Sequence, residues 1–163
     1  MMRHRESAIV SLFLYSSGAI LVVTAIAKFV SACGGARILQ SSDPILGISF
    51  RSVFWLVGMV ELIVAIVCFF GTRAATQTQV TAWLATSFVA YRAGLLFMGY
   101  NKPCSCLGNL TDALHISTQV GDAAMKIVLA YLLLGSYGIL ISDWLRSKRQ
   151  HTVIAGQKAS VGD

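Results

Sequence analysis

"VFWLVGMVELIVAIVCFFG", residues 53–71, runs for nineteen positions with one charged side chain, Glu61. A bilayer core about 30 Å thick takes about 20 apolar residues to cross as a helix, and this stretch has that length. Its apolar residues are continuous rather than alternating, so it does not read as a strand of a membrane β-barrel. Three further runs of the same kind occupy residues 8–32, 80–100 and 120–144. The expected fold is therefore all-α, an integral membrane four-helix bundle forming one domain over residues 1–147, with 148–163 as a flexible cytoplasmic tail. The short polar gap at 72–79 makes the second and third helices antiparallel neighbours.

Composition agrees with that reading. Hydrophobic residues make up 56% of the chain and charged residues 12%, against about 25% charged in a soluble domain. The net charge of +6 does not point to nucleic acid, because Lys and Arg gather toward the chain ends with no basic stripe or interleaved aromatics. Their distribution reports topology instead, since cytoplasmic loops hold the excess. Arg3, Arg5, Arg73, Arg146, Lys148, Arg149 and Lys158 fall on one side, and Arg37, Arg51 and Lys102 on the other. Both termini are thus expected in the cytoplasm of a bacterium, with the first and third loops facing the periplasm across the inner membrane.

That orientation gives the cysteines their meaning. Cys104 and Cys106 stand one residue apart just after the third apolar run, and Cys33 closes the first. All three fall on the oxidising side, where disulfides form and persist. Two thiols this close can pass a disulfide to a partner through a mixed-disulfide intermediate, and the small ring closed by a CxC pair is strained and easily reduced. Pro103 stops helix continuation before the pair, and Gly108 permits a tight turn after it. The bland alternatives are a fixed disulfide or unreactive small side chains. Cys33, Cys104, Cys106 and His115 also make a Cys3His set, but their spacing matches no standard zinc finger, and no metal is expected. "VSAC", residues 30–33, resembles a lipoprotein cleavage site, yet the preceding run is too long for a signal-peptide core and carries Lys28. Cys68, toward the other end of the second helix, reads as packing.

Charges inside the spans are the second signal, since each costs about 2.5–3.5 kcal/mol at the centre of a membrane helix. Lys28, Glu61, Arg92, Asp122 and Lys126 all avoid the cytoplasmic third of the bilayer on this topology. Glu61 and Arg92 come at comparable depths on helices joined by a short gap, so they are expected to pair. Asp122 and Lys126, four apart with the acid first, suit a helix-surface pair. Lys28 lies a little more than one turn before Cys33, either snorkelling to the headgroups or lowering the pKa of that thiol.

"SGAILVVTAIAKF" (17–29), "VELIVAI" (60–66) and "CSCLG" (104–108) together resemble the MauE and DoxX group of bacterial redox-associated membrane proteins. Members often carry a lysine late in the first helix, a glutamate in the second and a C-x-C-F-G type stretch, matched here by Lys28, Glu61, Cys104, Cys106 and Gly108. Leu107 stands where an aromatic is usual, and Ser105 where glycine is common. The resemblance implies thiol redox at the outer membrane face, in support of a disulfide-rich periplasmic partner or linked to quinone. On this reading Cys104, Cys106 and Cys33 are the catalytic thiols, and Lys28, Glu61 and Arg92 are candidates to line a cofactor site whose occupant, a quinone among the options, is open. The partners are a periplasmic thiol protein or the subunits of a membrane complex, within the lipid bilayer. The competing reading is a non-catalytic subunit that anchors a larger complex. Small residues such as Ser16, Ser17 and Gly18, or Gly94 and Gly99, would serve it by letting helices approach closely.

Overall fold

The computed structural model describes residues 2–34, 37–43, 45–99 and 118–160. Four long helices account for nearly all of them: α1 (Met2–Cys33), α2 (Phe50–Phe70), α3 (Ala74–Phe97) and α4 (Thr118–Ser160). Each contains a segment long and apolar enough to cross a membrane, namely Ala8–Cys33, Phe50–Phe70, Ala74–Phe97 and Gln119–Lys148. Among the described residues there is no β-strand, only one isolated antiparallel bridge between Ser42 and Ser49. The all-helical membrane fold expected from the apolar runs is the fold observed.

The helix ends depart from the apolar boundaries for local reasons. Ser49 caps α2 by accepting a hydrogen bond from the Ser52 amide at 3.3 Å, which starts the helix at Phe50, three residues early. α3 begins at Ala74 rather than at position 80, taking the polar residues 76–79 into its first turns, where the hydroxyls point back along the helix: Thr78 donates to the Ala74 carbonyl and Thr81 to that of Gln77, both at 2.9 Å. Gly99, at φ +72°, follows the end of α3 in a left-handed conformation that suits glycine. α4 continues to Ser160, through the segment expected to be a flexible tail.

The helices pack as two pairs, α1 along α2 and α3 along α4, and the pairs meet at a common core. That core takes Leu21 from α1, Val64, Ala65 and Cys68 from α2, Leu84 and Ala85 from α3, and Leu132 from α4. Glycines set the closest approaches. A β-carbon at Gly58 would lie 2.7 Å from the ring of Phe29, and one at Gly135 would lie 2.1 Å from the ring of Phe13. Both rings thus lie directly on helix backbone. Leu12, Phe70, Ile127 and Leu134 point outward, as a surface solvated by lipid allows.

A folded loop joins α1 to α2. It contains a short 3-10 helix, Arg37–Gln40, whose Leu39 is buried against Ala32 and Phe54. A tight turn then forms around Asp43. Its Oδ1 accepts from the amides of Ile45 and Leu46 at 2.8 and 2.9 Å, while Gly47, at φ +68°, returns its amide to the Asp43 carbonyl.

Candidate functional site

On α1, Ser17, Leu21, Thr24 and Lys28 recur at helical spacing on one buried stripe. α2 presents Glu61, Val64, Ala65 and Cys68 in the same way. Where the stripes meet, the Lys28 ammonium donates to both carboxylate oxygens of Glu61, at 2.7 and 2.9 Å. Only 5% of Lys28 and 1% of Glu61 is exposed. The Thr24 hydroxyl lies beside the carboxylate, and the Phe88 ring of α3 stands 6.0 Å from the ammonium. Two lone charges at this depth would be costly, but paired with two hydrogen bonds they present a neutral unit to the bilayer.

This geometry corrects two expectations. Glu61 does not pair with Arg92: depth along a helix says nothing of rotation about it, and the face of α2 that carries Glu61 is turned to α1. Nor does Lys28 snorkel or serve Cys33. Its ammonium is turned into the α1–α2 interface and held there, while Cys33 is a free, exposed thiol at the helix end. Arg92 instead reaches Asp122 on α4, whose other carboxylate oxygen accepts from Lys126 at 2.8 Å. The second contact is the i,i+4 pair expected from the sequence.

The residues near the end of α3 also bind the α1–α2 loop, which the sequence reading did not anticipate. The Tyr91 hydroxyl donates to Oδ2 of Asp43, a carboxylate only 1% exposed, and Ile45 sits over Gly94. A signal was available: Ser-Ser-Asp-Pro at residues 41–44, with Gly47 following, is a turn sequence whose aspartate bonds its own backbone. The chain segment after Cys33 and the last turns of α3 therefore occupy one end of the bundle. Cys68 lies toward the opposite end, buried, with its sulfur 3.4 Å from the Thr81 hydroxyl, as its reading as a packing residue requires.

Cys104, Cys106 and His115 lie outside the described residues, so the CxC pair and the Cys3His set have no geometry here. Among the described residues no group of three or more His, Cys, Asp and Glu side chains could hold a metal ion. Of the candidates for a cofactor site, Lys28 and Glu61 are closed on each other, and Arg92 is engaged by Asp122.

Four membrane-crossing helices with charged pairs gathered toward one end define a small multi-pass membrane protein whose polar interior is set by side-chain pairing. The chain belongs to the MauE family: the family described as methylamine utilisation protein MauE matches residues 6–147, the whole helical bundle. The DoxX side of the resemblance has no counterpart in that match. No curated protein and no solved structure matches the chain.

Proposed function

We propose that this MauE-family protein is a thiol–disulfide oxidoreductase of the bacterial inner membrane, acting at the periplasmic face through Cys104 and Cys106, with both termini cytoplasmic. The observation that supports it most is the shared end of the bundle. The loop after Cys33 is tied to α3 by Asp43–Tyr91 and by Ile45 on Gly94. Cys104 follows Gly99 by five residues, so at up to about 3.6 Å per residue it is tethered within about 18 Å of that end. An exposed free thiol thus stands at the end of the bundle to which the CxC segment is tethered.

In the exchange, a partner thiolate attacks the Cys104–Cys106 disulfide and forms a mixed disulfide, releasing one CxC thiolate. A second partner thiolate then displaces the other CxC sulfur. The partner leaves oxidised, and the CxC pair is left as a dithiol carrying the two electrons. To restore the pair, the Cys104 thiolate attacks a second protein's disulfide and releases one of its thiolates, Cys33, as the resolving thiol, displaces the other to form a Cys33–Cys104 disulfide, and Cys106 displaces Cys33, so that the second protein leaves as a dithiol with the two electrons.

The test is alkylation trapping in whole cells, followed by resolution of reduced and oxidised forms. Cys104 and Cys106 are expected to appear in both states, and the Cys104→Ser/Cys106→Ser double variant to lose support of the partner's disulfides. A permanently oxidised pair, with a double variant that behaves as wild type, would refute the proposal. Stable co-purification with large subunits that ignores cysteine replacement would favour the anchoring role instead.

A further inference from the structure

The turn between α1 and α2 bonds most of its backbone to itself. The Asp43 amide donates to the Ile48 carbonyl at 2.8 Å, the Gly47 amide to the Asp43 carbonyl at 2.9 Å and the Phe50 amide to the Ser41 carbonyl at 3.1 Å. The amides of Ile45 and Leu46 are held by the Asp43 carboxylate, and position 44 is a proline, which has no amide hydrogen to place. Asp43 is the one acid between Cys33 and Glu61. Its carboxylate is turned inward to Tyr91 and is 1% exposed, so the turn shows no negative charge on its outside. The side chains it does show are apolar: Ile45, Leu46 and Ile48 are 37%, 47% and 41% exposed.

The helices that the turn touches set its level in the membrane. α2 has 21 residues, about 32 Å, close to the hydrocarbon thickness of about 30 Å, and the turn leads directly into its first residue, Phe50. α3 has 24 residues, about 36 Å. With the excess of about 6 Å shared between its two ends, Gly94 stands about 2 Å inside the hydrocarbon boundary and Tyr91 about 6 Å inside. Ile45 lies on Gly94, and Asp43 is bonded to Tyr91. Both helices therefore place the turn at the boundary rather than in the water beyond it. Phe97, one turn past Gly94 on the same side of α3, is 93% exposed, so the apolar surface of the turn continues onto a lipid-facing helix. Arg51, one residue into α2, is exposed and donates to the Gly34 carbonyl, at the level where a guanidinium meets headgroup phosphates.

We infer that the α1–α2 turn is an interfacial membrane-binding element, which sets Leu46 and Ile48 against the glycerol groups and upper acyl chains of phospholipids at the Cys33 end. Carrying backbone toward acyl chains is costly unless its polar groups are bonded, and here five amides are bonded within the loop. An interfacial segment buries its apolar side about 5–10 Å into the boundary, a depth this turn reaches from its attachment to α3. Asp43 serves the same end, since it gathers two amides and takes its own charge inward to Tyr91.

Two measurements on the full-length chain in phospholipid vesicles test this. With the native cysteines retained, benzoylphenylalanine in place of Leu46 is irradiated, and the intact mass is expected to rise by that of one phospholipid. The absence of a lipid adduct overturns the inference, and so does a cross-link to protein, within the chain or to another, which would mean that protein covers the turn. In a Cys33→Ser/Cys68→Ala/Cys104→Ser/Cys106→Ser background, a nitrobenzoxadiazole label at Leu46→Cys or Ile48→Cys is compared with the same label at Val23→Cys, on the outward side of α1, and at Thr72→Cys, in the exposed α2–α3 turn. Both loop labels are expected to emit to the blue of Thr72→Cys and to be quenched by phospholipids brominated high on the acyl chain, whereas Val23→Cys responds best to bromines placed deeper. Quenching by aqueous iodide equal to that at Thr72→Cys overturns the inference, as does shielding from both quenchers.

Discussion

The two ends of the bundle are held together by different chemistry. At the Cys33 end the contacts are charged and specific: Lys28–Glu61 between α1 and α2, Tyr91–Asp43 between α3 and the first loop, and Arg92–Asp122–Lys126 between α3 and α4. Toward the Gly71 end the contacts named between the helices are of hydroxyls and aromatic rings. Thr78, Thr81 and Ser136 return their hydroxyls to carbonyls of their own helices, Ser16 meets the Tyr131 hydroxyl at 2.7 Å, and Gly18 admits the ring of Phe69. A hydroxyl that bonds its own helix leaves that helix free to rotate or slide. A buried ion pair does not, because any displacement leaves two charges unsatisfied. The Cys33 end is thus the end with fixed register, and it is the end at which chemistry is proposed.

The contrast makes graded predictions. The largest effect belongs to the ion pair. Lys28→Met or Glu61→Gln leaves a buried partner alone and should destabilise the protein by about 3–5 kcal/mol, whereas the double apolar variant Lys28→Met/Glu61→Met should recover most of that loss. Unfolding in mixed detergent micelles measures both. A double variant as unstable as either single one would mean that the helix pair needs charge, not merely balance.

A smaller effect is expected toward the opposite end, where packing rather than charge holds the helices together. Gly135→Ala places a methyl group against the ring of Phe13 and should cost about 1–3 kcal/mol by overpacking. Gly138→Ala, one turn on, meets open space and should be neutral or slightly stabilising. If the two variants unfold at the same point, the close approach of α1 and α4 at Phe13 is not part of the folded state.

The smallest effect is at Thr81. Thr81→Val removes the contact to Cys68 and the bond to the Gln77 carbonyl, and should cost about 0.6 kcal/mol, the usual size of such bonds in a membrane. A loss comparable to that of Glu61→Gln would erase the distinction between the two ends.

How far the sequence could be read follows from the same physics. The bilayer imposes one length on every crossing segment, so four helices were visible as four apolar runs. Their rotation was not visible. Glu61 lies at a depth open to several cations, and only the packing of α1 along α2 selects Lys28 over Arg92. Asp122–Lys126 was legible because both residues sit on one helix, where spacing alone fixes the geometry. Asp43 lies outside the spans, where a charged residue in a loop is ordinarily solvated. Its burial depends on a loop that folds back onto α3, a non-local contact that no periodicity reports. The CxC pair was conspicuous for the opposite reason, since its chemistry is local and needs no partner from elsewhere in the chain to be recognised.

The turn between α2 and α3 carries a consequence of a different kind. The Gln77 amide nitrogen lies 2.9–3.1 Å from the carbonyl oxygens of Val67, Cys68 and Gly71 at the end of α2, where Val67 also accepts the Gly71 amide. A side chain of α3 thus closes the end of α2, while the exposed Arg73 keeps the connection at the water-facing surface. α2 and α3 are thereby tied as a helical hairpin by the turn itself, apart from any contact between their apolar faces.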